Sequence, residues 1–305
     1  MFANEILKHY RGKFDKNGFV DVTDDIIDED LHSVLHPVTL LKLKCGTFYK
    51  KLSEMGTYKS QMDAEVLLSQ VYHKLGFKTA IYVPAQTDSS QFILCNDISG
   101  KNIVPASDYH FELAIEHRNL QGSADCLFDG DNHDYVSLFS PKILKKRTEM
   151  FLTDCAALNY DRVDCNYYYQ LKNGKPVDII LIDYECSGEN FSYAQAKALK
   201  ASPKTIFSDF SKDVRSDKSP AYFRDSFQSD FNPMYLSRKE LISSTKDCKE
   251  LQGVFDANEF ANRLGNVDIK GVAKNIKEEI NYKVNDKYVD LLASRFDETA
   301  EMLRN

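Results

Sequence analysis

Three residues with carboxylate or amide side chains, Asp161, Asn166 and Asp183, could do chemistry together. The segment that separates the last two, YYYQLKNGKPVDIILI, predicts two strands joined by a turn at KNGK. A hairpin brings its two ends together, so we expect Asn166 at the entry to lie close to Asp183 at the exit. Asp161 stands five residues before Asn166, in the loop that leads into the first strand. The flanking residues predict burial, and buried carboxylates are costly unless a cation meets them.

Oxygen ligands of this kind suit Mg²⁺, which binds through one or two protein groups together with phosphate oxygens. We therefore predict that Asn166 and Asp183 bind the metal, and that the carboxylate of Asp161 orients a hydroxyl nucleophile for phosphoryl transfer. Taken singly, Asx residues more often occupy turns for structural reasons. The combination of the loop, the hairpin and an aspartate that ends an apolar strand favours a nucleotide-triphosphate site.

Such a site also needs a lysine on a strand, for the phosphates, and a helix glutamate that fixes the lysine. Lys50 and Lys51 follow each other at the end of a predicted strand, and Glu65 lies on the predicted helix after it. We prefer Lys50, which follows two aromatic residues, but alternation alone leaves Lys51 open. Lys42 and Lys44 on the preceding strand stay open as well. A surface position on the flank of the helix is an equally good interpretation of Glu65.

The elements that would position these residues follow from the pattern of apolar residues. Residues 38–52 predict a hairpin, residues 60–76 a helix that Ser60 and Asp63 cap and Gly76 ends, and residues 79–84 and 91–95 two strands. Beyond residue 105 the pattern is mainly helical: 107–119, 141–158 and much of 190–305, interrupted by the hairpin at 166–184. The sequence thus predicts an α+β fold with a boundary near residues 96–105.

The composition of the chain argues against several classes of protein. The 305 residues carry a net charge of −7, which argues against a nucleic-acid-binding protein because no basic surplus neutralises phosphates. No apolar run approaches the roughly 18 residues that a membrane span requires. Seven cysteines without a C-x-x-C pair favour neither a disulfide framework nor a zinc ribbon. We expect a cytoplasmic protein that binds neither nucleic acid nor membrane.

The run DCAALNYDRVDCN that begins at Asp154, together with the later LIDYECS, resembles the catalytic core of HipA-like serine/threonine protein kinases. In that resemblance Asp161 matches the catalytic aspartate, Asn166 the metal-binding asparagine and Asp183 the second metal ligand. Asp154 and Asn159 also fit the motif, as groups that brace the loop. The resemblance is specific over about residues 150–187.

The resemblance implies a two-lobed protein-kinase-like fold. The N-terminal lobe, residues 1–98, would contain the sheet and bind nucleotide, and the larger, mostly helical C-terminal lobe would span residues 99–305. It further implies ATP and Mg²⁺ as cofactors and transfer to a protein hydroxyl, while the protein substrate and an antitoxin-type partner stay unidentified. Two departures are Val163, where the family has histidine, and the lack of a glycine-rich phosphate loop.

Two alternatives remain open. The first is a pseudokinase or nucleotide-binding scaffold, against which the retention of Asp161, Asn166 and Asp183 counts, since a chain free of chemistry has no need for buried charges there. The second is a small-molecule kinase that acts on a sugar, an aminoglycoside or a lipid head group. The catalytic loop does not separate this from protein phosphorylation, although the acidic chain makes anionic membrane lipids a less attractive substrate.

Overall fold

In the computed structural model, the residues described are 5–31, 38–51, 58–110, 112, 139–157, 159, 162, 166–184 and 251–305. The predicted α+β class is confirmed. The chain divides into two compact units: the first is Met1–Ile98, Ile182–Leu199 and Val267–Ser294, and the second is Ser99–Leu181, Lys200–Asn266 and Arg295–Asn305. The first segment of the first unit thus ends at Ile98, which is the predicted end of the N-terminal lobe. Two later segments of the chain also belong to the first unit.

The first unit contains a six-stranded sheet, whose strands are β1 (Val20–Asp21), β2 (Ile26–Leu31), β3 (Val38–Leu43), β4 (Gly46–Lys51), β6 (Tyr82–Gln86) and β7 (Gln91–Asn96). The order is β1-β6-β7-β4-β3-β2, and only the β1–β6 pair is parallel. The predicted hairpin at 38–52 is confirmed as β3 and β4. The run predicted as one strand at 79–84 is instead divided between β5 (Lys78–Thr79) and β6.

One face of this sheet carries an apolar core that helix α1 (Glu5–His9) also joins. Its fully buried members include Ile6, Tyr10, Leu41, Phe48 and Phe92. Because successive side chains of a strand point to opposite faces, the even-numbered residues of β4 share the face of Phe48 and the odd-numbered ones face the other way. This alternation separates the two neighbouring lysines at the end of β4.

Helix α2 (Tyr58–Lys74) confirms the predicted helix but corrects its start. Ser60 is already helical, so the capping box predicted for Ser60 and Asp63 is wrong. The Asp63 carboxylate instead accepts hydrogen bonds from the Tyr282 hydroxyl at 2.9 Å and the Asn285 backbone N–H at 3.0 Å. The predicted stop is confirmed, since Gly76 has a φ of 89°, in the left-handed region that glycine tolerates.

The later part of the first unit is helical, as predicted. Asp268 caps the N-terminus of helix α5 (Ile269–Ile280), and its side chain accepts a hydrogen bond from the N–H of Gly271. Asn281 caps the C-terminus, with a φ of 59°. Helix α6 (Asp286–Arg304) follows, and its residues from Arg295 onward are assigned to the second unit. Asp63, through its bonds to Tyr282 and Asn285, therefore fixes α2 to the connection between α5 and α6.

The second unit contains helix α3 (Pro141–Ala157), strands β8 (Ile103–Pro105), β9 (Tyr167–Lys172) and β10 (Lys175–Leu181), and helix α4 (Ala257–Gly265). The predicted hairpin is confirmed: β9 and β10 pair antiparallel, with Tyr167 opposite Leu181, and β8 pairs with β9. Helix α3 packs on β10. The buried Arg295 guanidinium donates to the carbonyl oxygens of Cys155 and Ala156 at 2.7 and 2.9 Å, which satisfies groups that a helix end leaves open.

Several predictions concern residues outside the described part of the chain. Of the helix predicted at 107–119, residues 107–110 and 112 are helical, and the others lie outside the described residues. Asp161, Val163 and residues 185–250 also lie outside the described residues. Within the described part, no helix is long and apolar enough to cross a bilayer.

Candidate functional site

The ammonium group of Lys51 is held between two carboxylates in the first unit. Its Nζ donates to Glu65 Oε1 at 2.9 Å and to Asp183 Oδ1 at 2.8 Å. Lys51 ends strand β4, Glu65 lies in the second turn of α2, and Asp183 follows strand β10. We call Lys51, Glu65 and Asp183 the Lys51 cluster. A strand, a helix and a hairpin exit separated by up to 132 positions in the chain thus meet at one ammonium group.

Glu65 is the buried anchor of this cluster. Its side chain is 1% exposed, against 14% for Lys51 and 24% for Asp183. The Oε1 atom binds Lys51, and Oε2 accepts the backbone N–H of Tyr184 at 3.0 Å. A carboxylate with both oxygens in charge-assisted or backbone hydrogen bonds offsets part of the cost of burial. Glu65 is therefore a fixed group, whereas Lys51 and Asp183 reach solvent.

Asp183 stands in a backbone conformation that only a few residue types tolerate. Its φ is 58°, in the left-handed region where aspartate and asparagine are several-fold enriched among non-glycine residues. The Tyr82 hydroxyl accepts the backbone N–H of Asp183 at 2.9 Å, and Lys51 binds the carboxylate. Two contacts from the sheet thus hold a backbone whose strain costs on the order of 1–3 kcal/mol. Strain of this kind is concentrated at functional sites.

Tyr184, the next residue, extends the same network into the core. Its ring is fully buried and lies 5.1 Å from that of Tyr72 on α2 and 6.0 Å from that of Tyr82. Its hydroxyl is 2.5 Å from the Thr79 hydroxyl. Since its N–H also binds Glu65, Tyr184 fixes the segment after β10 against α2 and the sheet.

Burial dominates the electrostatics behind the Lys51 cluster. Desolvation raises the pKa of Tyr82 well above its usual value, and the carboxylates of Glu65 and Asp183 raise it further. Burial likewise raises the pKa of the Cys95 thiol to about 12, with Glu65 again adding to the effect. Both groups stay neutral at physiological pH. The charged side chains of the Lys51 cluster therefore have uncharged side chains, those of Tyr82 and Cys95, behind them.

The preference for Lys50 as the partner of Glu65 is wrong, and alternation along β4 is the physical reason. The Nζ of Lys50 binds Glu29 Oε1 on β2 at 2.7 Å and lies 4.9 Å from the centre of the Phe92 ring. Lys50 thus shares the face of the apolar core, opposite the face on which Lys51 meets Glu65. The open alternative Lys51 is the residue that pairs with the helix glutamate.

In the second unit, Asp154 and Arg162 form a fully buried ion pair. Arg162 Nε lies 3.2 and 3.3 Å from the two oxygens of Asp154, and both side chains are 0% exposed. The side chain of Asn159 donates to Asp154 Oδ1 at 3.0 Å, and Arg162 Nη1 donates to the carbonyl oxygen of Asn166 at 2.6 Å. We call these four residues the Asp154 cluster. The bracing role that the resemblance implied for Asp154 and Asn159 agrees with these contacts.

The two predicted metal ligands belong to different units, Asn166 to the second and Asp183 to the first. The backbone of Asn166 is held by Arg162, and its side chain is largely buried; Asp183 is held by Lys51. An amide oxygen and a carboxylate are the hard ligands that Mg²⁺ accepts, so both residue types fit the ion. No group of three His, Cys, Asp or Glu side chains suited to a metal occurs among the described residues. The metal site of Asn166 and Asp183 stays a prediction.

No family model matches the chain, and no curated protein matches it. Among solved structures, it is similar to one titled "Crystal structure of A Helicobacter pylori proinflammatory kinase CtkA", with 14% sequence identity and a TM-score of 0.46. The match covers 92% of this chain and 99% of that chain.

Three groups that support the Lys51 cluster carry no signal in the sequence. Tyr82, Tyr184 and Thr79 lie in runs that predict strand packing, and nothing in their spacing indicates that Tyr82 binds the backbone of Asp183, that Tyr184 binds Glu65 or that Thr79 pairs with Tyr184. Arg162 was visible in the motif but received no role. The buried acid Asp154 five positions before Asn159 was the signal that could have predicted a cationic partner for it.

Proposed function

We propose that the protein is an ATP- and Mg²⁺-dependent phosphotransferase with a two-lobed protein-kinase-like fold, and that its acceptor is a serine or threonine hydroxyl of a protein. The observation that carries the proposal is the ion pair between the strand lysine Lys51 and the helix glutamate Glu65, with Asp183 on the same ammonium group. In protein kinases a lysine–glutamate pair of this kind positions the nucleotide phosphates, and an aspartate nearby binds Mg²⁺.

Accessibility supports this division of roles. Glu65 is buried and orients Lys51, whereas Lys51 and Asp183 are partly exposed and can meet a ligand. An ion pair that served stability alone would gain little from an exposed end, since solvent screens it. Lys51 therefore binds the phosphates, and Asp183 lies beside them.

Asn166 and Asp183 would hold Mg²⁺. The residue types and the sequence support the assignment, because an amide and a carboxylate stand just before β9 and just after β10. When bound, the ion neutralises charge on the phosphate oxygens. The chain's own groups do the rest: Lys51 orients the phosphates, and Arg162 fixes the backbone of Asn166.

Asp161 is proposed as the catalytic residue that accepts the proton of the attacking hydroxyl. In the sequence it stands between Asn159 and Arg162, both of which belong to the Asp154 cluster. We expect Asp161→Ala to abolish transfer and to leave ATP binding measurable, which separates the chemical step from nucleotide affinity.

The neighbouring lysines offer a matched test. Lys51→Met keeps the aliphatic stem but removes the ammonium group that binds the carboxylates of Glu65 and Asp183. We therefore expect transfer of the γ-phosphate of labelled ATP to fall roughly 10²–10³-fold. Lys50→Met removes an equally well-formed ion pair one position away and should change transfer less than about threefold. Transfer is measured to the chain itself and to lysate protein, with Mg²⁺ and with EDTA.

The melting temperature with ATP and Mg²⁺ completes the test, because a ligand of the folded state must raise it. A rise that Lys51→Met removes and Lys50→Met retains, without measurable transfer by the wild type, would identify a nucleotide-binding scaffold. Equal losses in both variants, or no rise in the wild type, would contradict the assignment of Lys51 to the phosphates.

A further inference from the structure

A groove of about 1120 Å³ lies on the first unit, at the C-terminal end of α2. Its apolar lining includes Leu7 and Phe14 from the region of α1, and Phe77 and Ile81 beyond α2. We call it the α1 groove. Its volume is slightly above the roughly 300–1,000 Å³ typical of small-ligand pockets, so it can receive several side chains.

The charges around the α1 groove are unevenly placed. Lys8 and Arg11 are exposed and stand on the side formed by α1 and the segment that follows it, and a third cation, Lys78, lines the groove beyond α2. Among the described residues, the side chains of Lys8 and Arg11 make no ion pair or hydrogen bond. The acidic groups that line the groove, Glu278 and Glu279, stand on α5. The Glu278 Oε1 atom lies 3.6 Å from the Nζ atom of Lys274.

We propose that the α1 groove is a docking site for an acidic peptide segment of a partner protein that carries apolar side chains. Uncompensated cations at Lys8 and Arg11 attract carboxylates or phosphorylated side chains, and the floor accepts aliphatic or aromatic groups. The apolar residues line a groove, into which single side chains insert, and this favours a peptide over a flat bilayer surface. The chain's overall charge of −7 makes such a local basic site selective.

Peptide binding at the α1 groove does not depend on phosphotransfer and is tested on the full chain. Random-peptide phage display against the wild type is followed by fluorescence anisotropy with the enriched peptides, synthesised with a fluorescein label. We expect enriched peptides to combine at least two acidic residues with a large apolar residue. The double variant Lys8→Glu/Arg11→Glu should weaken their binding at least tenfold, and the matched reversal Lys16→Glu/Lys101→Glu, at exposed lysines outside the groove, less than twofold.

Gln70→Trp provides an independent variant, because Gln70 lines the groove and a larger side chain fills it without changing charge. We expect it to weaken the same peptides at least tenfold at an unchanged melting temperature. The proposal is overturned if enriched peptides lack acidic residues, or if the groove variants bind them as the wild type does. It is also overturned if phosphatidylserine vesicles bind with the same dependence on Lys8 and Arg11 and no peptide is enriched.

Discussion

The Lys51 cluster and the Asp154 cluster use the same chemistry, a cation bound by aspartate, in opposite settings. Asp154 and Arg162 are 0% exposed, and their partners are side chains or backbone atoms of the same loop region. Lys51 and Asp183 are 14% and 24% exposed and come from separate elements of the first unit. The Asp154–Arg162 pair is closed to solvent and can only stabilise its loop. The Lys51–Asp183 pair is partly exposed and is anchored by the buried Glu65, so it can also bind a ligand.

The difference shows why a buried charge is by itself a weak sign of function. The Asp154 pair is the more buried of the two, yet its groups are directed at one another and at the carbonyl oxygen of Asn166. The Lys51 cluster adds accessibility and a left-handed backbone at Asp183. One substitution type, Asp→Asn, can therefore be made in both clusters and should give opposite results.

The largest expected effect is on stability. Asp154→Asn leaves the guanidinium of Arg162 buried without its charge partner, which should lower the free energy of unfolding by about 3–5 kcal/mol. The measurement is denaturant unfolding followed by circular dichroism.

The matched control replaces both partners, Asp154→Leu with Arg162→Met, and should recover more than half of the loss, because apolar groups leave no unpaired charge. A loss below about 1 kcal/mol in the single variant would show that the pair is not closed to solvent as the structure has it.

Asp183→Asn should give the reverse pattern. Asparagine tolerates the left-handed conformation, so the fold is expected to change little, but the carboxylate proposed for Mg²⁺ is lost. A nucleotide present at about 100 times its dissociation constant stabilises by about 2.7 kcal/mol, and we expect the Mg²⁺-dependent part of that gain to vanish.

Thermal unfolding with ATP, with and without Mg²⁺, measures this gain. Asp88→Asn, at an exposed position of the β6–β7 turn, is the control and should keep it. A variant at Asp183 that keeps the full Mg²⁺-dependent gain would place the metal elsewhere.

Local patterns predicted the elements of both clusters well. The hairpin of β9 and β10, helix α3 and helix α2 all follow from alternation, helical periodicity and turn residues. Strand β2 was missed because IIDEDL lacks the apolar alternation of a half-buried strand. Glu29 on that strand binds Lys50. Because the strand was not predicted, nothing in the sequence indicated that Lys50 already has a carboxylate partner on the opposite face from Glu65.

Long-range partners limited the prediction of the site. Asp63 matched a capping box by spacing, but its carboxylate binds groups 219 and 222 positions away. Lys51 and Asp183 are 132 positions apart. Spacing can indicate which residues are able to form a site, but the choice between two adjacent lysines depends on which face of the sheet the helix covers, and that is settled by packing.

The smallest expected effect concerns the contact that lies behind the Lys51 cluster. Thr79→Val removes the hydroxyl that pairs with Tyr184 at 2.5 Å and leaves the buried phenol without that partner, which should cost about 1–3 kcal/mol of stability. Tyr184→Phe added to it removes the second polar group as well. Because a pair replaced on both sides can be nearly neutral, the double variant should be more stable than Thr79→Val alone. Denaturant unfolding of the two single variants and the double variant gives the coupling energy, and strictly additive losses would show that the two hydroxyls do not depend on each other.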